Sequence, residues 1–267
     1  MPQVTSADGT PIGYDRLSAD GPVVILVSGG LDDGAENGPL AEQLAGTFAA
    51  VTYRRRGRGD SGDRKPYSVQ RELDDLAALI DVVGGRAHLF GASSGGALAL
   101  EAAAAGLPID RIAIHEVPYL LGDEMLAVWR DYVVDLAAAL EAGDRDQALR
   151  LFMRLAGSSE ADIAAAQSAP VWHRLRALAP TLRYDAACLG DGAPPADRLA
   201  TVTQPVLLTT GAIADPHSAG LPIDFFGAAA DATAAALPNA RHVTIEIPGH
   251  VPDPTLIAPV LTSFYLD

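Results

Sequence analysis

The sequence predicts an α/β protein: a mostly parallel, twisted sheet with helices on both faces and a helical insertion near its middle. Three observations carry this. Short β-branched apolar runs alternate with amphipathic helical stretches, the pattern of strands covered on both faces and joined by crossover helices. That alternation stops after Pro118 and resumes at Pro205, and the residues between them are periodic only at helical spacing. One strand also runs directly into a helix through Gly91-Ala92-Ser93-Ser94-Gly95, a Gly-x-Ser-x-Gly sequence in a strand–turn–helix context.

In chain order, Gln3-Val4-Thr5 and residues 12–16 flank the turn pair Asp8-Gly9 and read as an antiparallel hairpin at the sheet edge. Val23–Val27 is a continuous apolar strand that ends at Ser28-Gly29-Gly30-Leu31. Residues 39–45 form a short helix and Ala49–Tyr53 the next strand. Ser68 then caps a helix that carries Val69, Leu73, Leu76, Leu79, Ile80 and Val83 on one face. The strand from Ala87 enters the Ser93 turn. The helix behind it is stopped by Gly106 and Pro108, and residues 109–114 are again a strand. Residues 123–142, 145–156, 159–168 and 171–178 read as helices punctuated by Gly143, Gly157 and Pro170, and 190–197 as a loop-rich exit. A strand at 205–209, a helix at 227–237, a strand at 242–247 and a terminal helix at 254–265 complete the chain. This divides it into a core of 1–118 plus 205–267 and a helical insertion of 119–204.

The chain has 267 residues, 49% of them hydrophobic, enough for one sizeable core. A net charge of −15 repels nucleic acid and anionic membranes, so the expected partner is a small-molecule substrate, with no nucleic acid and no membrane. The single cysteine, Cys188, excludes an intrachain disulfide and reads as a small apolar residue. No apolar run approaches the roughly 20 residues of a membrane span, and the polar N-terminus lacks the features of a signal peptide, so a cytoplasmic location is expected. No metal or other cofactor is expected. There is neither a His-x-x-x-His with a glutamate nor a cysteine pair. Gly57-x-Gly59-x-x-Gly62 formally fits a dinucleotide fingerprint. Asp63-Arg64-Lys65-Pro66 follows it instead of a helix start, and Ala77 stands where an acid would hold the ribose.

A serine hydroxyl is a poor nucleophile until a base takes its proton, and the oxyanion that its attack creates needs preorganised donors. The sharp turn at Ser93 lifts the hydroxyl clear of the sheet, and the N–H of Ser94 faces the same space.

Four pieces together resemble the α/β-hydrolase superfamily: Ser28-Gly29-Gly30, Arg56-Gly57-Arg58-Gly59-Asp60-Ser61-Gly62, the Ser93 turn, and Pro248-Gly249-His250 near the end. The likeness covers residues 23 to about 121 and resumes at 205. It implies an α/β-hydrolase fold in which 119–204 is a cap over the site. In the family the chain order is nucleophile, acid, histidine, and of the six histidines only His250 fits it as the base. Gly30 N–H joins Ser94 N–H as the oxyanion hole. The family usually has histidine where this chain has Ser28, which keeps the donor but removes a side chain that props the loop. The resemblance puts the acid at Asp215, just after the strand that follows the cap, although Gly211-Ala212-Ile213-Ala214-Asp215 is one residue longer than the usual Gly-x-x-Asp. Glu116, ending the strand after the elbow helix, is its rival. Arg54, Arg55 and Arg56 either fix the neighbouring loop by ion pairs or meet an anionic substrate group. Trp129, Tyr132, Phe152, Trp172 and Tyr184 form the cap's own core, with one or two turned toward the substrate. The implied function is a carboxylesterase-like serine hydrolase that cleaves an ester, thioester or lactone of a small apolar substrate through an acyl-enzyme on Ser93. The same fold also hosts cyclases and other rearrangement enzymes, ligand binders and carbon–carbon bond hydrolases.

Overall fold

The hairpin around Asp8-Gly9 forms as β1 (Gln3–Thr5) and β2 (Pro11–Arg16) in a computed structural model that describes every residue except Met1, Ala19, Ala214 and Gly249. Then follow β3 (Val23–Val27), α1 (Gly38–Leu44), β4 (Ala49–Tyr53), α2 (Val69–Val83), β5 (Ala87–Ala92), α3 (Ser94–Ala104) and β6 (Ile109–His115). The chain closes with β7 (Val206–Ile213), α10 (Phe225–Ala236), β8 (Ala240–Pro248) and α11 (Pro254–Leu266). The strands form one sheet in the order β1-β2-β4-β3-β5-β6-β7-β8, antiparallel at β1, β2 and β4 and parallel from β4 to β8.

The alternation of side chains along a strand explains why both faces are covered. Val24 and Leu26 of β3 pack with Leu40 and Leu44 of α1 and Ile257 and Leu261 of α11. Ile25 and Val27 point the other way, into the larger core with Leu73, Leu76 and Ile80 of α2 and Leu98 of α3. A central strand with no polar face must be fully apolar, and all of β3 but its first residue is buried.

Between β6 and β7 the chain is helical among the described residues: α4 (Asp123–Glu141), α5 (Arg145–Leu155), α6 (Glu160–Ser168), α7 (Val171–Leu178), α8 (Leu182–Leu189) and α9 (Ala196–Leu199). Four of these match the expected segments. α8 was not anticipated, and the segment expected to be loop runs into the short α9. α8 is legible in hindsight, because Leu182, Ala186 and Leu189 recur at helical spacing and are buried. Among the described residues no helix is long and apolar enough to cross a membrane.

Candidate active site

β3, β5 and β6 lie side by side, and their C-terminal ends are where ligands of open parallel sheets collect. Each end is followed by a non-glycine residue forced to positive φ: Leu31 (57°), Ser93 (54°) and Glu116 (49°). The fourth such residue among those described, Asp224, precedes α10. Such conformations cost about 1–3 kcal/mol each and persist only where the surroundings impose them. At Ser93 (φ 54°, ψ −128°) the cause is the direct passage from β5 to α3. A Cβ on Gly91 would come within 2.5 Å of the Gly95 carbonyl oxygen, and one on Gly95 within 2.3 Å of the Val27 carbonyl oxygen. Both glycines are required because α3 starts in contact with the sheet.

A cavity of about 110 Å³ brings Gly30, Ser93, Ser94 and His250 together. Its remaining walls are mostly apolar: Trp129 and Tyr132 of α4, Phe152 of α5, Leu182 and Ala186 of α8, and Phe225 and Phe226 of α10. Three of the five insertion aromatics therefore face the cavity. Trp172 donates its indole N–H to Asp146 at 2.6 Å, and Tyr184 stacks on Tyr67 with ring centroids 3.8 Å apart.

The His250 ring is fixed on two sides. Its Nδ1–H donates to Glu116 Oε2 at 2.8 Å, and the ring stacks on Phe226 with centroids 4.8 Å apart. The other carboxylate oxygen of Glu116 accepts from Gly211 N–H at 2.9 Å. Burial pushes the Glu116 carboxyl up, but the bond from His250, the nearby His115 and His250 rings and the Gly211 N–H outweigh burial and hold it below the usual range. With Nδ1 engaged, Nε2 keeps its lone pair.

This corrects the expectation for the acid. Asp215 Oδ2 accepts from the backbone N–H of His250 at 3.1 Å and does not hold the ring. The reason is local. β7 continues to Ile213, so Asp215 emerges beyond the sheet edge, whereas Glu116 follows β6 immediately and its positive φ turns the chain there.

The arginines are consumed internally. Arg54 pairs with Asp15 and with Asp60 (2.7 Å), Arg56 with Asp75 (2.6 Å) and Asp8 (3.1 Å), and Arg55 with Glu72 (2.7 Å) and Asp185 (2.7 Å). Arg58, which carried no role in the sequence reading, donates to the Gly29 carbonyl oxygen and, at 2.7 Å, to Asp185. These pairs favour loop fixation over the reading of an anionic substrate group.

A family model described as "Alpha/beta hydrolase family" matches residues 24–258. The chain belongs to the alpha/beta hydrolase family. A crystal structure of an alpha/beta hydrolase from Sphaerobacter thermophilus DSM 20745 is 44% identical, with a TM-score of 0.88 over 99% of this chain and 100% of that one. The "Uncharacterized hydrolase YraK" of Bacillus subtilis (strain 168) is 29% identical over 169 residues, 57% of this chain. The match spans only 62% of that relative's length. A thermophilic esterase from Thermogutta terrifontis shares the fold at 21% identity, with a TM-score of 0.70 over 99% of this chain and 97% of that one.

Two further histidines of this alpha/beta hydrolase sit away from the cavity. His88 is buried and stacks on Tyr265, and His242 shares hydrogen bonds with Asp231 and Thr210. The side chain of His217 lies outside the described residues. His115 does not line the cavity. It is fully buried, with Nδ1 3.1 Å from Thr209 Oγ1. Cys188 is buried, but its surroundings are not apolar: its sulfur accepts from Arg55 Nη2 at 3.4 Å, and burial pushes the thiol up to about 12.

His115 gives the protein an acid-labile element. Burial lowers its pKa from 6.5 to about 4, so the folded protein keeps the ring neutral while the unfolded chain protonates it. Between those two values the unfolded state binds more protons, and stability falls as pH falls, by ~3 kcal/mol across the interval. Urea unfolding from pH 7 to pH 4 is expected to show a shallower loss for His115→Asn than for the native protein; identical slopes refute the assignment.

Proposed function

We propose that the chain is a serine hydrolase of ester-type bonds acting through an acyl-enzyme on Ser93. The observation that carries this is the shared cavity: a serine strained at a strand–helix turn and a histidine whose Nδ1–H is held by a buried carboxylate line the same small space. In the reaction His250 Nε2 takes the proton of Ser93 Oγ as it attacks the carbonyl carbon. The N–H groups of Gly30 and Ser94 stabilise the oxyanion. The imidazolium, stabilised by Glu116, returns the proton to the departing alcohol, and water then repeats the sequence on the acyl-enzyme. Residues 119–204 act as the cap, supplying the aromatic wall. A cavity of about 110 Å³ suits a short chain or a small ring, since an engineered cavity of roughly 150 Å³ takes benzene.

The test is a fluorophosphonate probe followed by a panel of esters, thioesters and lactones of increasing acyl length. The expected result is a probe adduct on Ser93 and turnover that peaks at short acyl groups. A folded protein that the probe leaves unlabelled sinks the reading. Labelling without turnover on the panel would favour the same fold at work on a rearrangement or a carbon–carbon bond.

A further inference from the structure

The two halves of the proposed oxyanion hole come from different parts of the chain, Gly30 after β3 and Ser94 at the start of α3. Both are tied to a single atom. Ser94 Oγ donates to Asp185 Oδ1 at 2.7 Å. Arg55 Nη1 and Arg58 Nη2 donate to the same oxygen, each at 2.7 Å. These two arginines also grip the Gly30 loop by its carbonyls: Arg55 reaches Ser28 at 3.2 Å, and Arg58 reaches Gly29 and, at 3.3 Å, Asp32. Asp185 belongs to α8, in the insertion, and is 4% exposed.

We infer that Asp185 is a positioning residue of the cap that sets both oxyanion donors at once. The argument is geometric. A trans peptide is planar, so the Gly30 N–H points opposite to the Gly29 C=O. By holding that carbonyl, Arg58 aims the Gly30 N–H away from itself, and Asp185 fixes Arg58. The hydroxyl bond of Ser94 to the same oxygen sets the first turn of α3, and with it the Ser94 N–H. The arginines thus prop the loop from which the family's usual histidine is missing at Ser28. The second oxygen of Asp185 takes no hydrogen bond in the described structure and packs against Gly30, 3.4 Å from where a Cβ would stand. The carboxylate is therefore seated against the loop it sets. Charge is balanced as well: Arg55 and Arg58 face Glu72 and Asp185, so the buried cluster is neutral. In this arrangement the cap takes part in transition-state stabilisation in addition to walling the substrate.

This rests on the serine hydrolase reading, and the test separates the two. Asp185→Asn and Ser94→Ala are compared with the native protein for kcat, KM and inhibition by a short-chain trifluoromethyl ketone, whose serine adduct carries an oxyanion. Asp185→Asn is expected to lower kcat by about 10²-fold, the effect of losing one oxyanion donor, with KM within threefold and ketone affinity falling in step with kcat. Ser94→Ala keeps every charge and both N–H groups, and its expected effect is the same pattern at about tenfold. It decides the matter where Asp185→Asn does not fold. Unchanged kcat in a folded variant, or a rise in KM alone, reduces Asp185 to a wall anchor and overturns the proposal. Tighter ketone binding by Asp185→Asn also overturns it, because bare removal of a negative charge would do that. If the native protein itself turns over no ester, the hydrolase reading fails while crystal structures of the two variants still decide this one. A displaced Gly29–Gly30 peptide supports it, and an unmoved one refutes it.

Discussion

Ser93→Ala is expected to leave a folded protein whose ester turnover is about 10⁶-fold lower, the loss seen when a serine hydrolase forfeits its nucleophile. Alanine accepts the same strained φ no better than serine, so stability should barely change. The variant lacks the Ser93 hydroxyl of the β5–α3 turn, which lines the cavity together with His250. Turnover with purified variant, checked against unfolding by circular dichroism, measures this. A folded Ser93→Ala protein within tenfold of native turnover removes Ser93 from the reaction.

The second large effect separates the two carboxylates. Glu116→Gln is expected to lower kcat by about 10⁴-fold, and Asp215→Asn by less than tenfold. The amide at 116 cannot serve both of its neighbours. Gly211 N–H claims an acceptor, so the amide oxygen stays there and the NH2 faces His250 Nδ1. That forces the proton onto Nε2, the nitrogen that must accept from Ser93. At 215 the amide oxygen can still accept from the His250 backbone N–H, and the ring is untouched. Melting temperatures of both variants guard against trivial unfolding. The reverse ranking, with Asp215→Asn inactive and Glu116→Gln active, would return the acid to the loop after β7.

Much of the frame was legible because its signals are local. β3 announces itself as five apolar residues in a row, and the Ser93 turn as glycines two positions either side of a serine. Ser93, Ser94, Gly30 and His250 could each be read from a short motif and its place in the chain, and the structure brings all four to one cavity. Which carboxylate meets the His250 ring was not legible, because the choice between Asp215 and Glu116 depends on where β7 ends and which way the chain turns after β6. Both are settled by pairing with neighbouring strands. Asp185 gave no signal at all. It is an ordinary aspartate in a helix, and its partners lie 91, 127 and 130 residues away. For Arg55 and Arg56 the sequence left loop fixation and an anionic substrate group both open, and the carboxylates that meet them could not be named.

The buried ionic cluster has a consequence for what happens after the chemistry. Arg54, Arg55, Arg56 and Arg58 are buried together with Asp32, Glu72, Asp75, Glu116 and Asp185, so the described interior is close to neutral and the net −15 lies almost wholly on the surface. Ester cleavage turns a neutral molecule into a carboxylate. Under the proposed ester hydrolysis, a neutral substrate would enter this field without penalty, whereas the acid product would stand in an apolar cavity inside an anionic shell whose field drives it outward. If the proposed ester hydrolysis holds, this charge favours product departure: the accumulating carboxylate is expected to be a poor inhibitor, and added salt, by screening the shell, to make it a better one.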